Sequence, residues 1–156
     1  MTKYQFMEEA VKLSLINMQR GEGGPFGAII VKDGQIIAKA NNQVLKNNDP
    51  TAHAEVVAIR EACKVLGVFQ LDGCELYTSC EPCPMCLGAI YWARPSKVYY
   101  ANTRQDAAAI DFDDAFIYEE INMPFEKRKI PMEHLHHPQA IEAFKKWAEK
   151  NDKTLY

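Results

Sequence analysis

The chain has 156 residues, 47% of them hydrophobic and 25% charged, a composition that suits one folded domain with a sizeable core and excludes a disordered or fibrous polypeptide. Lys+Arg number 18 against 21 Asp+Glu, for a net charge of -3, which argues against a polyphosphate backbone as the main partner because such binding needs a cationic face. No run approaches the ~20 apolar residues of a membrane span and the first residues lack a secretion signal's apolar core, so a cytoplasmic protein is expected.

The first helix is expected over 3–20, where Phe6, Met7, Ala10, Val11, Ser14, Leu15 and Met18 recur at helical spacing behind Thr2 as N-cap. A glycine-rich stretch from Gly21 to Pro25 ends it. Two β-rich runs, 26–32 and 35–40, flank Asp33-Gly34 and read as a hairpin. After a polar loop at 46–50, Ala54, Val57, Ala58, Glu61, Ala62 and Val65 mark a second amphipathic helix that stops near Gly67. A short strand at 74–79, a helix from Pro84 to Arg94 and a strand at 97–101 follow. Residues 106–122 read as short helix around the acidic cluster Asp111, Asp113 and Asp114, residues 129–135 as a fifth strand, and 138–150 as a closing helix with Ile141, Phe144, Trp147 and Ala148. This order predicts an α/β protein with a mixed sheet, five strands in all, covered by helices on both faces.

The chemistry concentrates in two short segments. His53-Ala54-Glu55 opens one helix and Pro82-Cys83-Pro84-Met85-Cys86 opens another. Catalytic zinc takes three protein ligands and leaves a fourth position for water, and His53, Cys83 and Cys86 make that number. Thiolates at a helix N-terminus are favoured by the positive end of the dipole. Zinc lowers the pKa of a bound water to about 7, and Glu55, two residues from His53, is placed to move its proton.

Competing readings of the same residues are weaker. Cys80, Cys83 and Cys86 copy the opening of a ferredoxin cluster run, but the next ligand position of that run holds Ile90. A purely structural zinc module would leave Glu55 without a role. Cys63, Cys74 and Cys80 read as packing residues, as buried free cysteines often are.

The residues from Gly24-Pro25-Phe26-Gly27-Ala28 through Asn41-Asn42 and Thr51-Ala52-His53-Ala54-Glu55 to Thr78-Ser79-Cys80-Glu81-Pro82-Cys83-Pro84-Met85-Cys86 resemble the zinc nucleobase deaminases, whose signature is H-x-E followed by P-C-x-x-C. The resemblance implies a three-layer α/β/α, cytidine deaminase-like fold as a single domain over 1–156. It also implies one Zn²⁺ per subunit and hydrolytic removal of an exocyclic amine, with Glu55 as proton shuttle. Downstream, Tyr99-Tyr100-Ala101-Asn102-Thr103 and the segment 107–118 look like the guanine deaminase group of that superfamily. The tRNA adenosine deaminases instead carry a Gly-rich segment there and a basic C-terminal helix.

The implied reaction is therefore guanine to xanthine and ammonia, the alternative being formation of inosine in tRNA. Carried over residue by residue, the resemblance makes Asn42 a hydrogen-bond partner of the purine and Asp114 the acceptor of its polar hydrogens. It places Phe26, Ala54 and Trp92 along the pocket wall and Tyr156 as a closing residue. Bland alternatives stay open: core packing for Phe26 and Trp92, an N-cap for Asp114, a frayed terminus for Tyr156. The implied partners are a small purine base and water, without membrane or nucleic acid, in a homodimer that allows exchange of C-terminal segments.

Overall fold

In the computed structural model, which describes all 156 residues, Asp33-Gly34 turns the chain with both φ angles positive, at 50° and 74°, as a two-residue hairpin requires. The turn joins β1 (Gly27–Lys32) to β2 (Gln35–Asn41). Strand β3 (Cys74–Cys80) pairs antiparallel with the other side of β1, and β4 (Lys97–Asn102) runs parallel to β3. The sheet is mixed, with the order β2-β1-β3-β4.

Alternation along the strands divides the core into two. Ala28, Ile30, Ala38, Ala40 and Leu76 point to one side, where they meet α3 (Ala54–Leu66) through Ala54, Ala58 and Ala62, and α4 (Pro84–Ala93) through Ile90 and Ala93. Ile29, Val31 and Tyr77 point to the other, where they meet Phe6 and Ala10 of α1 (Lys3–Arg20). Alanines dominate α3's inner face, which lets the helix lie close to the sheet. The short α2 (Val44–Asn47) takes up the first residues of the expected polar loop, and α5 (Arg104–Ala108) follows β4 behind a Thr103–Asp106 capping box. These elements make up one compact unit, residues 1–114.

A second unit spans 115–156 and holds α6 (Ala115–Ile121), a 3₁₀ turn (Phe125–Lys127) and α7 (Ala140–Glu149). Local contacts shape it: the Arg128 guanidinium donates to the carbonyls of Ile121 and Met123, and the Lys129 N–H donates to Glu120.

Two expectations need correction. The sheet has four strands, not five; residues 131–137 carry no regular structure, and Ile130 and Leu135 stand exposed. Pro131 removes a ladder donor there, and Met132 instead gives its N–H to Phe125 nearby. The buried stripe of α1 is Phe6, Ala10, Ser14 and Asn17, whereas Leu15 and Met18 face solvent. On α3, likewise, Glu61 and Val65 are exposed while Glu55 and Val56 are buried.

Candidate active site

Both ligand segments sit at helix starts because local chemistry ends the preceding loop there. Asn48 takes a left-handed φ of 49°, and the Asp49 carboxylate then accepts the Thr51 N–H at 2.8 Å and its hydroxyl at 2.6 Å. Gln43 donates its N–H to the Ala52 carbonyl at 2.9 Å, which fixes the approach to His53. His53 is the N-cap residue of α3, with Glu55 in the first turn. On the other side Cys83 is the N-cap of α4, Pro84 occupies its first turn, and Cys86 completes that turn. Proline is pre-organised for that position, where its missing N–H costs nothing.

The two helix starts converge. His53 Nδ1 lies 3.5 Å from both Cys83 Sγ and Cys86 Sγ, and the three ligand atoms fall within 4.8 Å of one another. Zn–S and Zn–N bonds of about 2.3 and about 2.0–2.1 Å at a tetrahedral angle set a nitrogen–sulfur spacing of about 3.6 Å. The observed spacing fits zinc.

Cys83 is pulled down to about 4, first by the Cys86 thiol donating to it and then by His53. Cys86 is pushed up by that same donation and by burial, and His53 is raised by its bond to Cys83. Cys83 is thus ready as a thiolate, and a metal displaces the remaining protons.

Glu55 is buried beside the sulfurs. Its Oε2 lies 3.5 Å from Cys86 Sγ, and its Oε1 accepts from the Thr78 hydroxyl at 3.1 Å. Burial raises its pKa, against the bond from Thr78, which suits a group that must both take and give a proton near neutrality. Thr78 was not singled out from the sequence. The signal lay in the alternation of β3, which turns Thr78 to the same face as Leu76 and so toward α3.

The remaining candidates are distributed unevenly. Asn42 is buried at the end of β2, its Oδ1 accepting the Val44 N–H at 3.1 Å. Ala54 is fully buried in the α3 core. Phe26 is half-buried and meets Phe112 edge-on, ring centres 5.0 Å apart. Through Phe112 the Asp111–Asp114 segment is held beside Phe26, a contact that sequence reading missed. Asp114 is half-buried; burial raises its carboxyl, and the Cys83 thiolate adds to the effect. Trp92 is 64% exposed on α4, and Tyr156 is 70% exposed at the end of the second unit. Cys80 is buried with its thiol raised to about 11 by burial, consistent with packing.

Comparison with known proteins agrees with this centre. A guanine deaminase from Bacillus subtilis is 57% identical over 151 residues, covering 97% of each chain. The X-ray structure of guanine deaminase from that organism superposes with a TM-score of 0.97 at 56% identity, covering 100% of this chain and 99% of the other. A tRNA-specific adenosine deaminase from Aquifex aeolicus is 48% identical, but over 101 residues, 65% of this chain and 66% of its own. Residues 1–102 match the cytidine and deoxycytidylate deaminase zinc-binding region, and with His53, Cys83 and Cys86 gathered at one point the chain belongs to that family of zinc-binding deaminases.

Proposed function

We propose that this chain removes the 2-amino group of guanine by hydrolysis, giving xanthine and ammonia. The observation that carries this reading is the length of the likeness: identity to a guanine deaminase runs through 151 residues, whereas identity to a tRNA-specific enzyme covers 101. The net charge of -3 also disfavours a substrate held by its phosphates.

His53, Cys83 and Cys86 would hold the zinc, which when bound supplies a water of lowered pKa at neutral pH. Glu55 takes a proton from the attacking water on a carboxylate oxygen and delivers it to the departing 2-amino nitrogen. Oxygen bonds to C2, the C2–N bond breaks, and ammonia leaves. The Thr78 hydroxyl, 3.1 Å from Glu55 Oε1, holds the carboxyl in line for both transfers. Asn42 has its Oδ1 engaged by Val44, so its Nδ2 is the end turned to a purine acceptor. Asp114, ionised, is acceptor-only and takes the polar hydrogens that distinguish guanine from adenine. Phe26, Ala54 and Trp92 line the base, and Tyr156 closes over it.

We further propose that residues 1–156 work as one deaminase domain in a cytoplasmic homodimer. What supports the dimer is α7, a helix with Ile141, Phe144 and Trp147 along one face and none of them buried. A second copy that exchanges the C-terminal segment would cover that face. No helix is long and apolar enough to cross a membrane.

The test is a direct assay of zinc-loaded protein on free guanine and on a tRNA anticodon stem-loop. Xanthine and ammonia from guanine, with the RNA untouched, are expected. Inosine in the RNA with guanine unchanged would overturn the reading.

A further inference from the structure

Asn17 lies on α1, outside both ligand segments, and is fully buried. Its Nδ2 donates to the Gly24 carbonyl at 2.7 Å and to the Asn42 carbonyl at 2.8 Å. Both amide hydrogens are thereby used. Its Oδ1, equally buried, meets no hydrogen-bond partner. An orphaned buried acceptor is destabilising, and leucine, with the same number of side-chain heavy atoms, would carry none. Packing alone therefore does not account for asparagine at this position. The two backbone carbonyls do.

Those carbonyls belong to the segments that frame Asn42. The Asn42 N–H donates to the Phe26 carbonyl at 3.1 Å, and its Oδ1 accepts from Val44 at 3.1 Å. Gly23 passes so close that a Cβ there would lie 2.5 Å from both the Asn42 carbonyl oxygen and Oδ1. The Gly23–Phe26 loop is therefore pressed onto Asn42, and Asn17 is the side chain that ties the two together from beneath.

We infer that Asn17 is a positioning residue, which sets the orientation of Asn42 and the Gly23–Phe26 loop toward the bound purine. The inference rests on the reading of Asn42 as a substrate contact. Asn17 touches neither zinc ligand nor base. Its effect passes through Asn42, because the carbonyl it holds belongs to the residue whose amide reads the substrate.

Asn17→Leu keeps the number of side-chain heavy atoms while adding bulk, and removes both donors; Asn17→Ala serves as a second variant should leucine impair folding. In zinc-loaded enzyme, kcat/KM for guanine is expected to fall about 10–100-fold, the scale of a small misplacement of substrate-positioning groups, with KM moving more than kcat. Zinc content stays at the wild-type level. The decisive comparison is the double variant Asn17→Leu/Asn42→Ala, expected to be no slower than Asn42→Ala alone, because residues acting through one contact do not add.

Losses that multiply in the double variant, or an Asn17→Leu enzyme within twofold of wild type, overturn the role of Asn17 while leaving Asn42 as a substrate contact. A kinetically silent Asn42→Ala overturns both. Should wild-type protein leave guanine unchanged, the proposed reaction fails separately. Hydrogen exchange then decides for Asn17: amides of residues 42–44 exchanging faster in Asn17→Leu support its hold on this segment, and unchanged exchange removes it.

Discussion

Residues 1–114 and 115–156 use apolar side chains in opposite ways. In the first unit Ile29, Ile30, Leu71, Leu76 and Tyr77 are essentially inaccessible, and the sheet carries helices on both faces. In the second, neither α6 nor α7 buries a residue, and Phe144 and Trp147 are 75% and 43% exposed. An isolated helix as short as α7 is marginal in water and draws its stability from packing of its apolar face. The difference shows a division of labour. The first unit has what a metal centre needs, ligands fixed by a finished core, whereas the second has an apolar face that needs a cover.

The sharpest way to break that comparison is to disable the centre without touching the core. Cys83→Ala or Cys86→Ala should strip the zinc and with it all turnover, because two remaining protein ligands hold zinc poorly against a chelator. Metal content per chain after gel filtration with mild chelator measures this. Full zinc in both variants would refute the ligand assignment. Glu55→Gln should keep its zinc and lose activity at or above the top of the range of about 10²–10⁴-fold typical of acid–base assistance, since one carboxyl serves several transfers. Activity within tenfold of wild type at full zinc occupancy would remove Glu55 from the reaction.

A smaller effect is expected at Asp114, the last residue of the first unit. Losing a buried charged partner costs about 2–5 kcal/mol, and the half-burial of Asp114 points to the low end, roughly 30-fold in kcat/KM. The pH dependence adds a sign. Burial raises this carboxyl, so as pH falls it protonates earlier than an ordinary aspartate and ceases to be acceptor-only. KM for guanine should then rise on the acid side, and Asp114→Asn should flatten that limb. Were Asp114 only the N-cap of α6, Asp114→Ala would instead lower stability by about 0.5–2 kcal/mol with near-normal kinetics.

Legibility in the sequence follows the range of the forces involved. The metal centre was legible because its ligands come from two helix starts, each set by contacts within a few residues, as with Asp49 and Thr51. The strands of the first unit were legible for the same reason, through the Asp33-Gly34 turn and local alternation. The inner face of α1 was not. Helical periodicity favours Leu15 and Met18, yet Asn17 is buried, because carbonyls 7 and 25 residues away capture its amide. Residues 129–135 carry β-like composition, but a strand exists only through a neighbour, and here the Met132 N–H goes to Phe125 instead.

The second unit's exposed face yields a prediction of assembly rather than rate. Phe144→Glu with Trp147→Glu should shift a dimer toward monomer in analytical ultracentrifugation, while the melting of residues 1–114, followed by hydrogen exchange in the sheet, stays unchanged. A dimer of undiminished strength would place the interface elsewhere. If a second copy supplies the cover, wild-type amides of α7 should exchange more slowly as protein concentration rises.

The smallest expected effect lies at the chain end, where Tyr156 is 70% exposed. A ring closing over a bound purine gains an aromatic contact of about 0.5–1.5 kcal/mol, which converts to roughly two- to twelvefold in kcat/KM. Whichever subunit supplies the ring, Tyr156→Ala should cost that much, and Tyr156→Phe should recover most of it if the face of the ring, not its hydroxyl, does the closing. Melting temperature should be unaffected in either variant, since an exposed terminal residue contributes little to folding. The two substitutions therefore separate a lid from a tail. Loss with alanine and recovery with phenylalanine mark a lid that works by excluding water from the base. Equal losses in both assign the work to the hydroxyl. Full activity in Tyr156→Ala makes the terminus a tail, and the second unit's contribution then ends at α7.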